Sequence, residues 1–202
     1  MSTDGFGFDR YLLEQLVRPI VNLYRVTPLA AGETPAGAPV AFVRQKRMAI
    51  KEDIRFFADE SETNELFRIK ARSILDTGGS RYDVTTSAGE PIGVLEHRFK
   101  QSLLRSTWRV TTPEGEEVLT ARERSLPFAI LRRVKNFSDL GEWIPIPYNF
   151  DFVQGDRVIG HLNRKFQIRD RYVVDVSGDH EHKLDRRLAI ALAVGLDTLQ
   201  NR

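Results

Sequence analysis

No cysteine occurs among the 202 residues, and methionine and tryptophan occur only twice each. The first absence excludes disulfides, thiolate zinc sites, a cysteine nucleophile and palmitoylation; it suits a reducing compartment, so a cytoplasmic protein is expected. No apolar run approaches the ~20 residues that a helix needs to cross a bilayer. The first thirty residues lack a basic segment followed by an apolar core, so no signal peptide is expected. Walker loops, dinucleotide fingerprints and serine-nucleophile motifs are missing too. Residues for a nucleophile, a base and an oxyanion donor cannot be grouped. No catalytic residue is assigned, and a non-enzymatic chain without a cofactor is expected.

What is present is a nine-residue apolar run, Leu188-Ala-Ile-Ala-Leu-Ala-Val-Gly-Leu196, bounded by Asp185-Arg186-Arg187 and Asp197. A helix apolar in every direction must be buried in every direction. At ~1.5 Å per residue the run covers roughly 13 Å, too short for a membrane. In a chain otherwise rich in strand signals, a sheet closed on itself can surround such a helix. The fold expected is therefore mainly β: an antiparallel barrel of about twelve strands enclosing a C-terminal helix at about 185–200.

Two units are expected along the chain: an N-terminal helix with its linker over 1–39, and a barrel domain over 40–202. Residues 8–26 read as an amphipathic helix. Arg10, Glu14, Arg18, Asn22 and Arg25 form its polar stripe, and Phe8, Leu12, Leu16, Ile20 and Leu23 part of a wide apolar face, with a kink at Pro19. Such a helix could hold a membrane surface or a protein partner, or pack on its own domain. Pro28 to Pro39 is linker-like in composition. Beyond it, strand patterns run over 40–50, 54–58, 65–74, 81–86, 91–97, 107–112 and 117–122, then 148–153, 157–163, 166–169 and 172–177. A helical pattern interrupts them at 126–137. Ile92-Gly93-Val-Leu95 with Phe99 recurs as Ile159-Gly160-His-Leu162 with Phe166 at an offset of 67, and Trp108-Arg-Val110 answers Tyr172-Val-Val174 after a three-residue shortening. A glycine inside each strand predicts a bulge or a close approach.

Gly89-Glu-Pro-Ile92-Gly93, the aromatic-led strand after each echo, the opening strands from Phe42 to Arg72 and the closing Asp185–Asp197 segment together resemble the tubby C-terminal-like superfamily. Within it they are most similar to the LURP-one-related and phospholipid-scramblase branch, over roughly residues 40–200. The resemblance implies a twelve-stranded barrel around a helix. Tubby proteins bind phosphatidylinositol bisphosphate through basic residues, and scramblases are linked to calcium-dependent lipid movement. This chain lacks the cysteine-rich segment and a matching calcium loop of scramblases, and its core helix ends in charged residues.

Charge is unevenly spread. Net charge is +2, yet nine bases and four acids lie between Arg98 and Lys135, and six acids with one base lie between Glu52 and Glu65. Arg98, Lys100, Arg105, Arg132, Arg133 and Lys135 form the candidate surface for anionic phospholipid headgroups; an ordinary solvated arginine face accounts for the same residues. His180-Glu-His182 with Asp179 and Asp185 has metal-compatible spacing, but a polar turn explains it equally and no metal site is assigned. The readings carried forward are a LURP-one-related binding module on anionic membrane surfaces, a scramblase-like lipid-acting protein, or a soluble protein-interaction domain. No nucleic-acid partner is expected.

Overall fold

The computed structural model describes residues 4–17, 21–46, 53–72, 80–98, 106–124, 149–165 and 171–199. Twelve strands form one closed antiparallel barrel in which each strand pairs with its sequence neighbours and the first pairs with the last. They are β1 Arg10–Val17, β2 Val21–Pro28, β3 Ala41–Lys46, β4 Asp53–Phe57, β5 Glu65–Ala71 and β6 Arg81–Thr86. Then follow β7 Pro91–His97, β8 Thr107–Thr111, β9 Glu117–Glu123, β10 Phe150–Gln154, β11 Arg157–Lys165 and β12 Arg171–Asp175. One helix, α1, runs from Arg186 to Leu199.

Strand alternation divides inside from outside. Tyr82 and Val84 of β6 point inward between the outward Arg81 and Asp83, and Phe67 and Ile69 of β5 repeat the pattern. Outward positions of the described strands carry charge-paired ladders such as Arg81–Glu96 and Arg109–Glu117. Every residue from Leu188 to Leu196 is buried, as a helix apolar all round requires. Ala189, Ala191, Ala193 and Gly195 keep the helix thin, while Leu188, Ile190, Leu192, Val194 and Leu196 fill the space against Phe56, Phe67, Phe150 and Phe152. Each large aliphatic side chain buried this way contributes ~1.5–3 kcal/mol.

The amphipathic helix expected over 8–26 does not form. Its residues are the hairpin β1–β2, with Leu13↔Val26 and Leu16↔Leu23 in register, and β1 closes the barrel through Arg10↔Asp175 and Leu12↔Val173. Tyr11, Leu13, Tyr24 and Val26 fill the interior at a period of two. The outward Leu16 and Leu23 imitate a helical face because the segment 58–64 folds back near this part of the wall. Pro19, where a kink was expected, lies outside the described residues. The strands expected from residue 40 onward appear, except that 166–169 lie outside the described residues, as does the helical pattern at 126–137.

The sequence echo marks a repeated local device. The pairing slips by one residue at Ile92 in β6–β7 and at Ile159 in β10–β11, each just before the glycine. Gly93 faces the carbonyl of Thr111, the last residue of β8, and Gly160 faces that of Asp175, the last residue of β12. The same slip occurs at Leu66 and Val118, so four hairpins share the bulge and two of them need glycine after it.

Candidate functional site

Alternate connections of an up-and-down barrel lie at opposite mouths. At the mouth holding the N-terminus of α1 lie the segment before β1, the connections after β2, β4, β6, β8 and β10, and the turn from β12 into α1. They carry thirteen acidic residues and one base, Lys183. The segments linking strands at the opposite mouth, with the residues after α1, carry thirteen bases and five acids in sequence. In sequence, acidic and basic connections thus alternate along the chain. The acidic mouth also complements the positive end of the helix dipole.

At the acidic mouth the chain is tied to the helix by Arg186, buried at the start of α1. Its guanidinium donates to Asp179 Oδ2 at 2.6 Å, to Asp9 Oδ1 at 2.6 Å and to the Leu184 carbonyl at 2.9 Å, and His182 Nδ1 lies 3.1 Å away. Burial pushes the Asp179 carboxyl up, but Arg186 and the N–H groups of Leu184 and Lys183 outweigh it and hold the pKa below the usual carboxylate range. Asp185 caps the helix, accepting from the Arg187 N–H at 2.8 Å. Asp179, His182 and Asp185 are thus engaged in structural bonds. Among the described residues no group of three His, Asp or Glu side chains is placed to hold a metal ion.

At the other mouth the interior turns polar. Tyr24 from β2 and Tyr172 from β12 each donate a hydroxyl to Asp197 near the end of α1, tying the helix to the two strands on either side of β1. His97, Ser106, Trp108 and Glu123 gather at the ends of β7, β8 and β9. The His97 ring lies 4.9 Å from Trp108, and its Nε2 is 3.4 Å from Ser106 Oγ. Trp108 is 1% exposed, and its indole N–H has no hydrogen-bond partner among the described residues. Burial pulls the His97 pKa down from 6.5 to about 4.

That depression has a pH consequence. The folded protein keeps His97 neutral where the unfolded chain takes up a proton, so stability is full above about 6.5 and falls as pH drops towards about 4. With the ring partly exposed, solvent screening limits the loss to about 1–2 kcal/mol. Melting temperatures of wild type and His97→Gln across this window check it: wild type should lose the greater stability. Parallel curves refute it. Asp179, whose pKa is lowered, acts in a separate window, its stabilisation being lost only as pH falls below the ordinary 3.8.

Of the six candidate headgroup residues, Arg98 is described. It follows β7 and donates its backbone N–H to the Thr107 carbonyl at 3.0 Å, at the basic mouth. Lys100, Arg105, Arg132, Arg133 and Lys135 lie outside the described residues. They belong to the connections β7–β8 and β9–β10, whose flanking strands end at this same mouth. Four of the six acids between Glu52 and Glu65 serve the wall: Asp53 and Glu65 pair with Arg55, Glu60 pairs with Arg25 at 2.8 Å and Glu62 with Arg44. Beside the last two is a cavity of about 280 Å³ lined by Leu16, Leu23, Phe42 and Phe57. Sequence reading missed the Arg186 network and the alternation of acidic and basic connections. The signal for the second was available in the acidic turns Glu90, Glu114-Gly-Glu116 and Asp156, once alternate connections are sorted by mouth.

The fold defines a class: a helix-filled, twelve-stranded antiparallel barrel. The LURP-one-related family matches residues 40–197, and the chain belongs to that family. No curated protein matches it.

Proposed function

We propose that this protein is a non-enzymatic LURP-one-related module, akin to tubby-like proteins, that attaches peripherally to anionic phospholipid surfaces on the cytoplasmic side through its basic mouth. The alternation of acidic and basic connections in the sequence carries the reading. Near an anionic leaflet each Lys or Arg contributes ~1 kcal/mol, so several on one mouth give attachment that weakens as salt rises. Arg98, Lys100, Arg105, Arg132, Arg133 and Lys135 are its headgroup contacts. Among the described residues no helix is long and apolar enough to cross a membrane, which is consistent with surface attachment.

Sedimentation with phosphatidylcholine vesicles, with and without phosphatidylserine, tests this at low and high salt. Wild type should pellet only with the anionic vesicles and be released by salt. Arg132→Glu/Arg133→Glu should cut binding severalfold and leave thermal stability nearly unchanged. A wild-type protein that ignores anionic vesicles at low salt overturns the reading and favours a protein-interaction domain. A scramblase-like activity would appear as lipid flipping in the same vesicles. The packing of α1 against the interior aromatics argues against a lipid path through the barrel.

A further inference from the structure

We propose that the outer face of β1–β4 binds a small amphipathic carboxylate, an apolar body carrying one carboxylate head. Side chains alternate along each strand, so Leu16, Leu23, Arg25, Phe42 and Arg44 all stand outside the barrel. Register sets Leu16 opposite Leu23, Leu23 opposite Arg44, Arg25 opposite Phe42 and Phe42 opposite Phe57. The two leucines and two phenylalanines therefore form one apolar strip, with Arg25 and Arg44 at diagonal corners of it. The segment 58–64 folds over this strip. Glu60 accepts from Arg25 Nη2 at 2.8 Å, and Glu62 accepts from Arg44 Nη1. Glu62 holds a φ of +57°, in the left-handed region that glycine favours. Strip and segment enclose the cavity of about 280 Å³, whose lining also includes Arg44, Glu60 and Glu62.

The sign of the head group follows from the hydrogen-bond needs of the two arginines. Each glutamate engages a terminal guanidinium nitrogen, and both carboxylates are thereby compensated. The inner donors are not: Arg25 Nε and Arg44 Nε are buried and have no hydrogen-bond partner among the described residues. A buried donor left unpaired is costly, most of all on a charged group. A water molecule there would need two or more polar partners, and the floor is leucine and phenylalanine. A guanidinium has five donors and can serve two carboxylates, so a second acceptor need not displace the first. An anionic oxygen meets these donors and their positive charge, whereas an ammonium meets donors head-on. The guanidinium of Arg25 lies 5.7 Å from the centre of the Phe42 ring, which keeps charge beside the apolar floor. For the body, a cavity of ~150 Å³ already admits benzene, so the larger space here suits a chain of about eight carbons.

Titration calorimetry of the full chain with octanoate, octanol and octylammonium, without vesicles, tests the site independently of the membrane reading. Octanoate should bind once and saturably, with a Kd of roughly 0.1–1 mM for a ligand of about ten non-hydrogen atoms. Octanol should bind about tenfold more weakly, and octylammonium should show no saturable binding. Leu23→Trp, which fills the cavity, and Arg44→Gln, which removes the head-group donor, should each weaken octanoate about tenfold while keeping the wild-type circular dichroism spectrum. Should Leu23→Trp fail to fold, Arg44→Gln decides alone, since the Arg44 side chain is 42% exposed. Arg132→Glu/Arg133→Glu should bind octanoate within about twofold of wild type. No saturable octanoate binding, equal binding of octanol or octylammonium, or unchanged binding in either folded variant overturns the proposal. Loss of octanoate binding in Arg132→Glu/Arg133→Glu overturns it too, by placing the carboxylate at those bases.

Discussion

Leu192→Asp should give a chain that no longer folds. Leu192 is 0% exposed, in the middle of a helix surrounded by barrel wall. Replacing it removes the transfer and packing contribution of a core leucine, about 2–5 kcal/mol, and buries a carboxyl group with no partner, which costs a further ~2–7 kcal/mol even when it is protonated. The sum, about 4–12 kcal/mol, is as large as most of the ~5–15 kcal/mol by which domains are ordinarily stable. Circular dichroism and size exclusion should show an unfolded or aggregated protein, whereas Leu192→Ala stays folded with a lowered melting temperature. A soluble Leu192→Asp variant that melts as wild type does would remove the central helix from the core.

Gly160→Ala should be nearly as damaging, through backbone rather than burial. A methyl group there would stand 1.9 Å from the carbonyl oxygen of Asp175 and 2.9 Å from the Cα of Val176. Both are main-chain atoms of the adjoining strand and its exit, so β11 and β12 must separate at the bulge. Overpacking typically costs 1–3 kcal/mol; with backbone on both sides the expected loss is at the upper end or beyond, about 3 kcal/mol or more. Gly93→Ala meets the Thr111 carbonyl at 2.5 Å and two movable methyls of Leu188 at 3.0 Å, and should lose less. Gly115→Ala is the control, at a φ of +92° with nothing within 4 Å, and pays only ~1 kcal/mol of conformational strain. Chemical denaturation of the three variants should rank them in that order. Equal losses at Gly160 and Gly115 would mean that the close approach carries no energetic weight.

Why some of this was legible in the sequence and some not follows from particular residues. The helix was legible because Leu188–Leu196 is apolar on every side, and a closed sheet was the structure able to surround it. The strands from β3 to β12 were legible because alternation and turn residues agree. The β1–β2 hairpin was not: Leu12, Leu16 and Leu23 face outward, and their apolar character blurs a period of two into something helical. Tertiary placement supplied the rest. Nothing local says that Asp9 meets Arg186 or that Tyr24 and Tyr172 share Asp197, because those partners lie far apart along the chain. The glycine echo pointed to the bulges correctly, but it singled out two of four. Hydrophobic residues follow the slip at the others, Phe67 and Leu119.

The β1–β12 seam has a consequence for how the chain is made. The strand synthesised first finds one of its two neighbours only when Arg171–Asp175 has emerged, and the helix that fills the interior comes later still. Until then β1 to β11 can pair in sequence order, but as an open sheet with two bare edges and an unfilled apolar face. That is the condition most prone to edge-to-edge association. Closure then joins the most distant strands in the chain, which places the entropic cost of ordering near the end of folding. Synthesis therefore leaves a long interval in which nearly the whole barrel wall is exposed, and residues 171–199 end it by sealing the seam and filling the core together.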